Sequence, residues 1–247
     1  TSATALTLGD EPFQYHRKFS KATVAVCENR QEGIEQLLKH PNFQVILLDD
    51  AFQHRKVQAG LNLLLTSYSQ LYTNDFLLPV GSLRDIRSRA HKAQVILVTK
   101  CPNLSEEAQQ KIIQQLQPLA YQQVFFTRIA YAEEVCREGE SQPLEDFLST
   151  PFTLVTGIAN PTPLVSFLQG KGAHFTHLSY SDHHHFSEKE IASLSQHERL
   201  LTTEKDYVRF GNALPQLYYL PIKTQFLNEK DKEAFDKKIL SFVFSKF

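Results

Sequence analysis

Short apolar runs of strand length alternate with amphipathic helical stretches along most of this chain, and that alternation constrains its fold most strongly. Thr23–Cys27, Val45–Leu48, Leu61–Leu65, Val95–Val98 and Val124–Ile129 read as strands in the first half. Phe152–Ile158, His174–Leu178 and Leu200–Thr203 read as strands in the second. A continuous apolar run such as Val45–Leu48 is what a strand covered on both faces requires. Helical patterns fall between them, over 30–40, 105–116, 160–168, 187–194 and 228–244. Ser105 is the expected N-cap of the second helix, and Ser187 with Glu190 forms a capping box at the fourth. The expected class is α/β with a mostly parallel sheet. Polarity rises over Ala132–Thr150, which places a domain boundary there and divides the chain into 1–149 and a smaller α/β domain, 150–247.

Composition excludes several classes. The 247 residues are 42% hydrophobic and 21% charged, an ordinary globular balance. A net charge of −1 gives no overall field for nucleic acid, and no nucleic-acid partner is expected. Cys27, Cys101 and Cys136 are odd in number and widely spaced, which fits a reducing compartment better than a disulfide framework. No apolar run approaches the ~20 residues of a membrane span. The chain opens on Thr1 and contains no methionine, which makes a truncated sequence plausible.

The residues that carry chemistry begin with Val45-Ile46-Leu47-Leu48-Asp49-Asp50. A buried strand ending in adjacent acids sets carboxylates at the C-terminal edge of a parallel sheet, where ligands of such folds bind. In P-loop nucleotide-binding proteins this is the Walker B arrangement, in which an Asp holds Mg²⁺ or its water shell. Taken alone, the same pattern also marks any strand entering a loop. Gly9-Asp10-Glu11-Pro12 alone reads as a surface turn. His183-His184-His185 has no spaced Cys or His partner, so a zinc site is not expected.

Longer motifs narrow the choice. Asp49-Asp50-Ala51-Phe52-Gln53-His54-Arg55, Leu78-Pro79-Val80-Gly81-Ser82-Leu83-Arg84-Asp85, Val98-Thr99-Lys100-Cys101-Pro102, Gly9-Asp10-Glu11-Pro12, Asp182-His183-His184 and Thr203-Glu204-Lys205-Asp206 all occur along the chain. Together they resemble the lipid A 4′-kinase (tetraacyldisaccharide 4′-kinase) family from Gly9 to about Arg209. The resemblance implies a P-loop-type, mostly parallel sheet, incomplete at the N-terminus, in a partial nucleotide-binding kinase domain 1–149. It implies transfer of the ATP γ-phosphate to the 4′-hydroxyl of a lipid A disaccharide precursor at the cytoplasmic face of the bacterial inner membrane, with ATP and Mg²⁺.

Residue roles follow from the same resemblance. A sugar hydroxyl is a weak nucleophile, and a positioned base adds ~10²–10⁴-fold. Asp10 is the implied base, paired with His183 of the second domain, with His184 as the fallback; closure of the two domains would bring them together. Asp49 and Asp50 are implied for Mg²⁺. Arg30, Arg84 and Asp85 are implied around nucleotide and phosphate, although the family commonly carries Glu where Asp85 stands. Lys100 is implied beside the adenine. Aromatic and apolar residues such as Tyr68, Leu71, Tyr72, Phe76 and Leu77 are candidates for acyl contacts, with core packing the competing role.

One part is missing from the sequence. The phosphate-binding loop G-x-x-x-x-G-K-[ST] does not occur; Gly170-Lys171 is followed by Gly172. In the family this loop lies upstream of the Gly-Asp-Glu-Pro motif. The chain as given is therefore expected to bind ATP poorly and to lack kinase activity. The alternatives are a non-catalytic relative that binds lipid or a partner, and another P-loop nucleotide or cofactor kinase.

Overall fold

The computed structural model describes residues 8–40, 43–210 and 213–244. Contacts divide the chain into two units, each drawn from two stretches of sequence. One comprises residues 1–26 and 131–223, the other 27–130 and 224–247. This division is discontinuous, whereas the sequence reading cuts the chain once, at 149/150.

The first unit is built on a six-stranded sheet of order β5-β4-β9-β8-β6-β7. Its strands are β4 (Glu134–Arg137), β5 (Glu140–Pro143), β6 (Phe152–Thr156), β7 (Phe175–Ser179), β8 (Leu200–Thr203) and β9 (Leu217–Leu220). The pairs β7–β6, β6–β8 and β8–β9 are parallel, while β4 runs antiparallel to both β5 and β9. Every residue of β6 is buried, as its continuous apolar run requires of a central strand. Among the described residues five helices belong here: α1 (Asp10–Lys18), α4 (Leu144–Leu148), α5 (Thr162–Gly170), α6 (Glu188–Leu194) and α7 (Glu204–Phe210). Two clusters form the core, one around Phe147, Leu154, Leu168 and Leu201, the other around Val155, Leu194, Leu200 and Phe210. The Ser187–Glu190 capping box opens α6 as expected. The polar stretch expected to be a boundary instead folds into the β4–β5 hairpin and α4, turning at Gly139 with φ 73°.

The second unit carries a four-stranded sheet, β1-β2-β3-β10. Its strands are β1 (Leu63–Ser67), β2 (Val95–Thr99), β3 (Gln123–Tyr131) and β10 (Ile222–Phe226), and β1–β2–β3 are parallel. Its helices are α2 (Arg30–Leu38), α3 (Glu106–Leu116) and the closing α8 (Glu229–Phe244). Ile96, Val98, Ile112, Leu116 and Phe126 form its core. Ser105 caps α3 by accepting from the Ala108 N–H, as its sequence predicts. Of the acyl-contact candidates, Leu71 is buried in this core, whereas Phe76 and Leu77 are exposed.

Two expected strands do not form. Thr23–Cys27 and Val45–Leu48 carry no regular secondary structure and pair with no strand among the described residues, and Leu47 is 90% exposed. A strand is held by its neighbour's backbone, and none of the described residues pairs with either run. Apolar composition alone does not supply that partner.

Candidate functional site

The six-stranded unit gathers one group of the singled-out residues around a single arginine. Asp10 opens α1 directly after Gly9, whose φ of 88° suits the missing side chain. The helix has acids in its first turn and His16, Arg17 and Lys18 in its last, matching the helix dipole. It buries no residue completely, so its seat depends on polar ties to α7. Lys18 Nζ donates to Glu204 Oε2 at 2.9 Å, and the Arg17 guanidinium lies 5.7 Å from the Tyr207 ring centre.

Helix α7 starts with a reciprocal cap. The Asp206 N–H donates to Thr203 Oγ1 at 3.1 Å, and the Thr203 hydroxyl donates to Asp206 Oδ2 at 2.8 Å. The Gly157 N–H also donates to Asp206 Oδ2, at 2.9 Å, so this fully buried carboxylate is well supplied with donors. Arg209 lies three residues further along the same helix. Its Nη1 donates to Asp206 Oδ1 at 2.8 Å and to the Gly157 carbonyl at 3.1 Å, its Nε donates to Asp10 Oδ2 at 2.8 Å, and its Nη2 lies 3.2 Å from His183 Nδ1.

His183 sits in a loop with its backbone left-handed, φ 57°, a conformation that costs a residue with a Cβ. Its N–H reaches the Gly157 carbonyl at 3.2 Å and Asp182 Oδ1 at 3.0 Å, which holds the turn. Its Nδ1 is 3.7 Å from Asp10 Oδ2, too long for a hydrogen bond. His184 turns instead to Glu190, with Nε2 and Oε1 3.0 Å apart, and packs beside Tyr180 and Phe186. Of the two histidines, His183 is the one that comes near Asp10. Asp10 and His183, assigned by sequence to different domains, belong to one unit, because α1 docks on α7.

The four-stranded unit holds the second group. Asp50 stands on an exposed turn with φ 46°, and both its oxygens face Arg84. Arg84 Nη1 donates to Oδ2 at 2.7 Å, and Nη2 pairs with Oδ1. That fork holds the Asp50 carboxyl below its ordinary range, partly opposed by burial and assisted by the charges of His54 and Arg30. Asp49 is its exposed neighbour. Arg30 opens α2 and donates back to the Cys27 carbonyl. Asp85 is committed locally: Oδ2 is 3.0 Å from Arg89 Nε, and Oδ1 accepts from the Ile86 N–H at 2.9 Å. Lys100 is exposed just past the C-terminal end of β2, with φ 57°.

The donor set of Asp49 and Asp50 fits Mg²⁺, which is commonly held by one or two carboxylates together with water and phosphate. Among the described residues no group of three or more His, Cys, Asp or Glu forms a metal cage. The motifs give no role to Arg209 or Gly157, and Asp206 enters only within Thr203-Glu204-Lys205-Asp206. A signal was present: Thr203-x-x-Asp206 has the spacing of a helix cap, and Arg209 follows Asp206 by the three residues that pair side chains on a helix.

This mostly parallel α/β architecture is shared with a solved structure, LpxK from Aquifex aeolicus in complex with ATP, at a TM-score of 0.73 and 21% identity, over 98% of this chain and 71% of that one. The chain belongs to the tetraacyldisaccharide-1-P 4′-kinase family (LpxK), whose sequence model matches residues 1–243. Among its relatives, the tetraacyldisaccharide 4′-kinase of Flavobacterium johnsoniae is 45% identical, over 98% of this chain and 72% of that protein. The enzyme of the same name from Bacteroides thetaiotaomicron is 39% identical, over 98% and 70%.

Proposed function

We propose that this protein phosphorylates the 4′-hydroxyl of tetraacyldisaccharide 1-phosphate with ATP, in lipid A biosynthesis. Family membership and the names of its relatives support that activity and lend nothing to a non-catalytic role. The observation within the molecule that carries the reading is the state of Asp10. Its Oδ2 is held by Arg209 Nε at 2.8 Å, and His183 Nδ1 lies 3.7 Å from the same oxygen.

Asp10 Oδ1 takes the proton of the 4′-hydroxyl as that oxygen bonds to the γ-phosphorus. The β–γ bridging bond breaks, and its electron pair leaves with ADP. His183 flanks the carboxylate and the incoming sugar. In the four-stranded unit, Asp49 and Asp50 would hold Mg²⁺, and Arg84 would exchange its grip on Asp50 for phosphate oxygens, which its planar fork suits. Bound Mg²⁺ supplies charge neutralisation on the phosphates. Arg30 and Lys100 contribute further positive charge to the nucleotide, and Asp85, still paired with Arg89, offers a carboxylate that accepts hydrogen bonds beside it. The acceptor is a lipid, which supports action at the cytoplasmic face of the bacterial inner membrane. No helix among the described residues is long and apolar enough to cross a membrane.

The test is a phosphate-transfer assay on protein that carries a phosphate-binding loop together with this chain. NMR of the product should place the new phosphate on the 4′-oxygen. Phosphate on a small hydroxylated metabolite, with none on the disaccharide, would exclude this reading in favour of another kinase.

A further inference from the structure

The base and its histidine neighbour do not touch, and a third residue connects them. Arg209 directs four N–H donors at fixed targets: Asp10 Oδ2, Asp206 Oδ1, the Gly157 carbonyl and His183 Nδ1. Its side chain is only 4% exposed and that of Asp206 is 0% exposed, so the guanidinium has no water shell to fall back on. The Arg209–Asp10 hydrogen bond is 2.8 Å, whereas the His183–Asp10 separation is 3.7 Å. Arg209 is the residue that hydrogen-bonds this carboxylate directly.

The imidazole is fixed by the same side chain. Arginine cannot accept a hydrogen bond, so the 3.2 Å contact makes His183 Nδ1 the accepting nitrogen. A competing cation lies at the other ring nitrogen, Lys205 Nζ at 3.1 Å from Nε2. An ammonium cannot accept either, and a neutral imidazole has only one lone pair in the ring plane to give. Arg209 is the more firmly placed of the two donors, its guanidinium being held by its other bonds, although the Lys205 contact is the shorter. Lys205 has a flexible stem and a second partner, Asp182 Oδ1, at 3.8 Å. With the ring proton on Nε2, which lies 3.9 Å from Asp182 Oδ2, Lys205 Nζ would leave that nitrogen for Asp182 Oδ1.

We propose that Arg209, seated on buried Asp206, is a positioning residue for phosphoryl transfer. It aims Asp10 Oδ1 at the acceptor hydroxyl and holds His183 in the Nε2–H tautomer. This rests on the reading of Asp10 as the base.

Two readouts test it. In ¹⁵N-histidine-labelled chain 1–247, long-range proton–nitrogen spectra should show His183 Nδ1 unprotonated, and Arg209→Met should transfer the ring proton towards Nδ1. A protonated Nδ1 in the unaltered protein, or a tautomer indifferent to the substitution, overturns the proposal. In protein carrying the phosphate-binding loop, Arg209→Lys should lower kcat about 10²-fold, the low end of what a positioned base contributes, while the KM for ATP stays within about threefold. Guanidinium added to Arg209→Ala should restore part of that loss. The double variant Arg209→Met/Asp206→Asn removes both buried charges together, so folding survives while kcat stays low. Full kcat in Arg209→Lys refutes the role of Arg209. Absence of transfer by the unaltered enzyme refutes the functional reading instead, and leaves the tautomer measurement to judge Arg209.

Discussion

Substituting Asp206 by alanine should be among the most destabilising single changes in the six-stranded unit. Its carboxylate is fully buried and accepts from the Gly157 N–H, the Thr203 hydroxyl and Arg209 Nη1. Removing one partner of a buried ion pair costs about 3–5 kcal/mol, because the other charge is left uncompensated. Asp10 remains 2.8 Å from the same guanidinium, which argues for the low end, ~3 kcal/mol. The orphaned Gly157 N–H adds about 1 kcal/mol more. A total of ~4 kcal/mol corresponds to a fall in Tm of roughly 8–16 °C for a chain of this size. Asp206→Asn keeps the shape and part of the hydrogen bonding, so about half that fall is expected. Thermal melting followed by far-ultraviolet circular dichroism reads both. A fall below about 2 °C for Asp206→Ala would mean that the carboxylate does not anchor Arg209, and the derived geometry would be wrong.

Three further outcomes are expected. The Asp50 carboxyl should titrate below the usual carboxylate range in an NMR pH series, and Arg84→Ala should move its midpoint up. Because its folded-state value is depressed, the stabilisation is present above the unfolded value and disappears as pH falls through the folded one; the pair is exposed, so added salt should shrink the effect. The Cys101 thiol, pushed up to about 11 by burial, should resist thiol reagents at pH 8 until the protein unfolds; rapid labelling in the native state would contradict its placement. Ser187→Ala should cost about 1 kcal/mol in urea unfolding, since it strips the capping box from α6; no measurable change would mean the cap contributes nothing.

The elements legible in the sequence were those whose signals are local and self-sufficient. Ser105 and Ser187 announce α3 and α6 because a cap is satisfied within four residues. The run Phe152–Thr156 announces β6 because a fully buried strand is apolar throughout. Strand pairing is not local, which is why Val45–Leu48, equally apolar, was read as a strand yet lies unpaired with Leu47 exposed. The β4–β5 hairpin was hidden for the opposite reason. Edge strands carry polar residues, and Glu134–Pro143 resembles a linker until β9 pairs with β4.

The site divides in the same way. Asp10, His183, Asp49, Asp50 and Arg84 stand out as candidates through motifs, each a contiguous run of letters. Arg209 carries no such motif, and its partners lie 199, 52 and 26 residues away, a convergence that only folding creates. The Gly9-Asp10-Glu11-Pro12 stretch, a turn by composition, opens a helix because acids favour the first turn and the basic residues close the last.

The most direct measurement is single-turnover transfer of γ-³²P from ATP to tetraacyldisaccharide 1-phosphate, comparing Asp10→Asn with the unaltered residue in protein that carries the phosphate-binding loop. A loss of ~10²-fold or more in the transfer rate is expected, with ATP affinity essentially retained. Transfer at the unaltered rate by the asparagine variant would remove Asp10 from the chemistry, and with it the proton-abstraction step proposed here.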